Sequence, residues 1–289
     1  MRPEQNLNRI SPMREWLLLT RQFVLIQLND RKNLLLSLAF PVIAALITVW
    51  IAGENMFVHY DGTKSACFVI VSAAIWGGLF NSIQVVVRER ENIKRDYTAG
   101  LRLRCYTASR AVAQFVLCLI QSILLTCGFV GVEWKYGNEL PGSGVIMGSA
   151  LMECWITIIL LTFAADAMGL FLSSLVRKPE TANVMAPYIL IVQLIFSGIL
   201  FKMEGGAEIL SYAMLSRWGM EALGSISDVN ELPLRIALEK NIVIPHEAED
   251  MFLRTAGHLL LVWLVLILFS AFFLVLGNLA LHRVAKDTR

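Results

Sequence analysis

Two carboxylates, Glu153 and Asp166, stand inside one long apolar run, and they are the first place to look for chemistry in this chain. A carboxylate so placed relays a proton or holds an ion if an opposite charge stands near it. No Lys or Arg within any of the apolar runs supplies one. If the run crosses a bilayer, an aspartate near its middle costs about 2.5–3.5 kcal/mol, so Asp166 should face protein or water. Asp166 lies in Ala165-x-x-x-Gly169-x-x-x-Ser173, a small-residue stripe that lets two helices approach closely. The favoured reading is therefore a hydrogen bond across a tight helix pair. Glu153 should lie nearer the outer interface, where ionisation costs little. Amides join these acids in the apolar runs: Asn81, Gln84, Gln114, Gln121 and Gln193.

Other chemistry is not visible. The five cysteines form no CxxC pair and no Cys/His cluster at ligand spacing, and the four histidines are scattered. No metal site, disulfide or nucleophile–base set is expected, and no catalysis on this chain. No G-x-x-x-x-G-K-[ST] occurs. Energy from nucleotide, with its Mg-ATP, is expected to come from another chain.

Charge is concentrated in two places. Arg88-Glu89-Arg90-Glu91-Asn92-Ile93-Lys94-Arg95-Asp96-Tyr97 interleaves both signs, with Glu91 and Arg95 at i,i+4. It predicts a short solvated helix hinging off an apolar run, read either as an ordinary basic loop or as a docking surface for another protein. Upstream, residues 12–30 predict a helix too charged to span, with Trp16, Leu19, Phe23 and Ile26 on one face and Arg14 and Arg21 off it. Such a helix lies in a membrane interface. A third short helix, Leu215–Leu223, carries Trp218 and an Arg217/Glu221 pair, and is expected to rest at the opposite headgroup level.

The elements behind these groups follow from composition. The chain has 289 residues, is 56% hydrophobic and only 17% charged, and its mean hydropathy is +0.62. Soluble domains run about 45–50% apolar and about 25% charged. The excess falls in blocks of about 20 residues, the length that crosses a hydrocarbon core of ~30 Å. Six spans are predicted, at about 34–52, 66–87, 111–132, 145–175, 184–201 and 258–281. They divide the chain into an arm, 1–33, and an all-α six-span domain, 34–289, with an outer loop at 202–256. The arm is too polar for a cleavable signal peptide. Of 25 Lys and Arg, 18 fall in the arm, the 88–110 segment, the Arg177-Lys178 turn and the tail. The positive-inside rule then puts both termini in the cytoplasm of a multi-pass plasma-membrane protein. The net charge of +2 gives no reason to expect a nucleic-acid partner.

Five pieces in register resemble the permease subunits of ABC type-2 exporters, in their G-subfamily (type V) form. Leu19-Thr20-Arg21-Gln22-Phe23 with Asn29-Asp30-Arg31-Lys32-Asn33 resembles the connecting helix. Val87 to Asp96, then Gly100-Leu101, Tyr106 and Ser109-Arg110, is similar to the cytoplasmic coupling segment. Gly169 to Leu175, Pro187 with Phe196-Ser197-Gly198, and Ser216 to Leu223 resemble the fourth span, the fifth span and the segment after it. The nearest look is to the membrane half of bacterial forkhead-associated/ATPase/permease fusions. No cysteine follows Cys154, so the outer-loop cysteines of many eukaryotic members are missing.

The resemblance implies an exporter of two permeases and two ATPase domains. Arg21, Asp30, Arg31, Arg88, Glu89, Arg90, Glu91, Lys94, Arg95 and Asp96 would then couple to the ATPase. The second and fifth spans would line a path for amphipathic or lipid-like cargo, with Trp76, Phe80, Asn81, Gln84, Val192, Gln193 and Phe196 beside it. Two other readings stay open: an ion-coupled carrier or intramembrane enzyme using Glu153 and Asp166, and a signalling or assembly scaffold.

Overall fold

A computed structural model describes residues 11–138, 140–201, 203–240 and 248–286. Among these, every regular element is helical. In chain order they are α1 Pro12–Asn29, α2 Arg31–Ile47 (prolonged by a π-helical turn to Ala52), α3 Tyr60–Ser82, α4 Val85–Arg88 and α5 Arg90–Thr98. Then come α6 Leu103–Tyr136, α7 Ala150–Leu175, α8 Pro179–Ile195, α9 Gly206–Ser211, α10 Leu215–Ile226, α11 Leu232–Lys240 and α12 Ala256–Lys286.

Among the described residues, five helices are long and apolar enough to cross a membrane: Arg31–Trp50, Tyr60–Arg88, Leu103–Tyr136, Ala150–Leu175 and Ala256–Ala285. The predicted fifth span is the 17-residue α8. Its N-terminus is set by Pro179 and its last turn gives way at Phe196, so it rises about 26 Å. Leu260, Leu264, Leu268, Phe272 and Val275 are exposed along α12, as a lipid-facing wall requires.

The centre of the bundle is the crossing of α3 and α7, with α12 packed on the far side of α7. Small residues make this crossing. A Cβ on Gly78 would overlap Thr162 O and come within 3.0 Å of Asp166 N, and one on Gly169 would lie 2.8 Å from Leu79 O. The predicted tight pair is present, but its hydrogen bond runs from Ser82 Oγ to the backbone oxygen of Asp166 (2.7 Å), not to the carboxylate. Below it the helix breaks between α3 and α4, which leaves the first N–H groups of α4 without helical acceptors. Ser173 Oγ accepts from both Val86 N (3.0 Å) and Val87 N (3.1 Å).

A second repair serves α2. Pro41, inside the helix, has no N–H for the Ser37 carbonyl. Gln121 Nε2 of α6 donates to that carbonyl at 2.9 Å.

The predicted outer helix forms as α10, but not at a surface. All twelve of its residues are buried, packed against α3, α7 and α12. Its small residues permit this, since even a Cβ on Gly219 would press on Leu161 and Val71. Its two charges face each other at 3.7 Å, and His258 of α12 stands 3.3 Å from Glu221. Arg217 also donates to Ser211 Oγ (3.2 Å) and covers the Tyr212 ring. Burial pushes the Glu221 carboxyl up to about 7, with Arg217 opposing the shift. A carboxyl that holds its proton more tightly when folded stabilises the fold below its ordinary pKa of 4.5, and that stability is lost as pH rises through 7. Glu221→Gln should therefore gain on the wild type as pH rises. The difference between their thermal midpoints, followed from pH 5 to pH 8, checks this, and a constant difference would contradict it.

Candidate functional site

The basic end of the bundle carries the charged segment. Ile93 of α5 is buried, whereas Glu91, Arg95 and Asp96 are exposed, and α5 ends where Gly100 takes φ +107°, open only to glycine without strain. The predicted i,i+4 pair gives way to Lys94–Glu91 (3.3 Å) and Arg95–Asp96 (3.3 Å). Such surface pairs contribute little to stability, which leaves the exposed Glu91, Arg95 and Asp96 available to another surface. Arg90 is turned inward and donates to Val176 O at the end of α7 (3.0 Å). Arg88 is exposed, as are Arg21 on α1 and Arg31 on α2.

Glu89 sits between α4 and α5 and is not free for docking. One carboxylate oxygen accepts from Tyr106 Oη (2.7 Å), and the other pairs with Arg110, both of α6. The Arg110 guanidinium lies 3.9 Å from the centre of the Phe23 ring of α1, which meets Tyr106 edge-on. These four side chains tie α1, the charged segment and α6 into one unit. Glu15 adds a second tie, accepting from Arg102 N (2.8 Å) and pairing with its guanidinium (3.3 Å). The charge alternation offered no signal for either tie. Both join residues more than four positions apart, beyond the reach of helical spacing.

Trp16, Leu19, Phe23 and Ile26 do not act as a single lipid-facing stripe. Phe23 is buried against α6, while Leu17, Leu18, Leu25, Ile26 and Leu28 are exposed. The helix thus has two apolar sides, one on protein and one exposed.

Above this end lies a cavity of about 650 Å³ between α1, α2, α3 and α6. Trp76, Phe80, Asn81 and Gln84, expected beside the cargo path, all line it. Phe40 and Trp76 stack with rings 6.3 Å apart, and Phe80 leans on Trp76. Asn81 and Gln121 exchange two side-chain hydrogen bonds (2.7 and 3.1 Å). Gln114 donates to Asn81 O (3.0 Å), and Gln27 donates to Gln114 Oε1 (3.0 Å). The amides thus satisfy one another and clamp four helices. Gln84 reaches across to Asn183 of α8.

The fifth-span residues are elsewhere. Gln193 is buried, and its Oε1 accepts from Ser216 N (3.1 Å) at the start of α10, where backbone N–H groups lack helical acceptors. Ser216 Oγ donates back to Gln193 O. Val192 is exposed on α8 and Phe196 half-buried at its end, and neither borders the cavity.

The two acids differ sharply. Glu153 is buried in the first turn of α7 and accepts from three successive backbone N–H groups, Val145 (2.8 Å), Ile146 (2.6 Å) and Met147 (2.6 Å). It anchors the preceding loop. Asp166 is fully buried, and neither carboxylate oxygen has a hydrogen-bond partner among the described residues.

The family model of the ABC-2 type transporters matches residues 14–226, from α1 through α10 and well over half of the chain. The chain belongs to that family. This ABC-2 type chain is also similar to an ABC transporter ATP-binding/permease protein of Mycobacterium tuberculosis, with 21% identity over 232 residues. The match takes in 77% of the ABC-2 chain but only 26% of the relative, so the chain spans about a quarter of that protein's length. Membership makes the chain a permease component of an ABC transporter and a multi-pass membrane protein.

Proposed function

We propose that the chain forms the substrate pathway of an ATP-driven exporter, working as a pair of permeases on separate ATPase subunits that bind the Mg-ATP. The basic end faces the cytoplasm of a bacterial inner membrane, with both termini on that side. The observation that carries this reading is the exposed acid–base face of α5, backed by the Glu89–Arg110–Tyr106 tie and adjoining the cavity. A push on α5 is thereby delivered to α1 and α6, a rigid-body route from motor to cavity. The exposed side of α8, with Val184, Tyr188 and Ile191, and Phe80 on α3 offer an apolar surface for the second permease. The aromatic wall beside charged lining residues suits amphipathic cargo.

The test is copurification with the ATPase and measurement of its turnover. Reversing the exposed charges together, as Glu91→Lys, Arg95→Glu and Asp96→Lys, should weaken association by about tenfold or more while leaving the thermal midpoint in place. Unchanged association and turnover would sink the docking assignment. The ion-coupled alternative draws on the Asp166 carboxylate, which has no hydrogen-bond partner among the described residues, yet Glu153 is committed to its loop.

A further inference from the structure

Four charged side chains line the cavity, and they divide into a closed pair and an open pair. Glu89 and Arg110 face each other, although the buried Arg110 Nε has no hydrogen-bond partner among the described residues. Arg88 lines the cavity, is itself exposed and so borders the opening, and makes no ion pair among the described residues. Asp30 caps α2 through Asn33 N (3.3 Å) and Asn33 Nδ2 (2.5 Å), and each of its oxygens keeps a lone pair free. The mouth therefore offers one open cation and one open anion, with no net charge.

Deeper in, the amides are satisfied by one another and ask nothing of a ligand. What remains is apolar wall: Leu34, Leu36, Phe40, Trp76, Phe80 and Leu117. Arg88 and Trp76 lie twelve positions apart across the break between α3 and α4, at most about 18 Å at ~1.5 Å per residue. One leaflet's share of a ~30 Å core is of similar depth. A Cβ on Gly77 would meet only the Gln121 amide at 3.7 Å, so the wall there is open.

We propose that this cavity binds a zwitterionic aminophospholipid of the cytoplasmic leaflet, its phosphate at Arg88, its primary ammonium at Asp30, and an acyl chain along Phe40 and Trp76. The inference deepens the permease reading by naming an occupant, and it rests on the membrane orientation but not on ATPase coupling. A balanced mouth gives no advantage to a headgroup of net negative charge. Inorganic phosphate would satisfy Arg88 and leave the apolar wall empty.

The test is native mass spectrometry of the full chain in detergent, titrated with dioleoyl phosphatidylethanolamine, phosphatidylglycerol or phosphatidylcholine, or with inorganic phosphate. The ethanolamine lipid should bind about fivefold tighter than the glycerol lipid, the size of one open ion pair. Phosphatidylcholine, whose ammonium has no N–H to donate, should bind more weakly. Asp30→Asn keeps an N-cap residue and should erase the ethanolamine preference. Arg88→Gln should weaken both phosphatidylethanolamine and phosphatidylglycerol. Gly77→Leu, which fills the wall, should lower occupancy for every headgroup. Equal binding of the ethanolamine and glycerol lipids by the wild type, undiminished lipid on Gly77→Leu, or phosphate binding as tightly as lipid would each overturn the proposal. ATPase association of the same preparations reports on the permease reading separately.

Discussion

Gly78→Ala is expected to remove most of the recoverable folded protein, while Gly77→Ala, one residue earlier, leaves the thermal midpoint nearly unchanged. The two glycines look alike in the sequence, and both sit in the same turn of α3. At Gly78 a single methyl would overlap the Thr162 carbonyl oxygen and press on Ala165 and Asp166 N. Those obstacles are mostly backbone of α7, which moves only if the whole crossing opens. Overpacking of this kind costs about 1–3 kcal/mol and more when backbone must shift, against marginal stabilities of about 5–15 kcal/mol. The crossing also carries the Ser82–Asp166 hydrogen bond and the Ser173 cap of α4, so widening it strands buried polar groups as well. At Gly77 the methyl meets nothing closer than 3.7 Å, and a helix gains up to about 1 kcal/mol when Gly becomes Ala. Size-exclusion recovery and thermal unfolding in one detergent compare the two variants directly. Equal recovery would mean that α3 and α7 are not in backbone contact.

Such distinctions mark the limit of what the chain's sequence discloses. Hydropathy located the apolar helices well, because a span of about 20 residues is a local property. The small-residue stripe from Ala165 to Ser173 pointed to a close helix pair, and the partner surface at Gly78 and Ser82 lies opposite it. What failed was the reading of charge as exposure. Arg217 and Glu221 looked like a surface pair, yet they are buried because His258, Ser211 and the Tyr212 ring complete their surroundings. Glu89 looked like its neighbours in a solvated run, but the break between α4 and α5 turns it toward α6. Asn81 and Gln121 were legible as polar groups in lipid-facing lengths of chain, though not as each other's partners. One link was open to inference and missed, since Pro41 inside a helix requires a donor for the Ser37 carbonyl.

Glu89→Gln should destabilise the protein by about 3 kcal/mol or more and uncouple the ATPase, whereas adding Arg110→Met to it should restore much of the stability and none of the coupling. The Arg110 side chain is only 9% exposed, and among the described residues Glu89 is the acid it pairs with. Removing one partner of a buried pair leaves the other as an uncompensated charge, at about 3–5 kcal/mol, while replacing both with apolar groups is often close to neutral. The Met side chain can lie on the Phe23 and Tyr106 rings as the guanidinium stem does now. In the proposed mechanism coupling behaves differently, because it depends on a mechanical link and not on net stability. Without the Glu89 carboxylate, the hinge between α4 and α5 loses its hold on Tyr106 and Arg110, and motion of α5 no longer reaches α1 and α6. Thermal midpoints of the two single variants and the double variant give the interaction energy of the pair. ATP turnover of the copurified ATPase gives the coupling. The outcome that refutes this account is a Glu89→Gln variant of wild-type stability and turnover, since Glu89 would then be an ordinary member of the solvated run. A double variant that recovers both stability and turnover would refute the mechanical part alone, leaving α5 joined to the bundle by Arg90 and Val176.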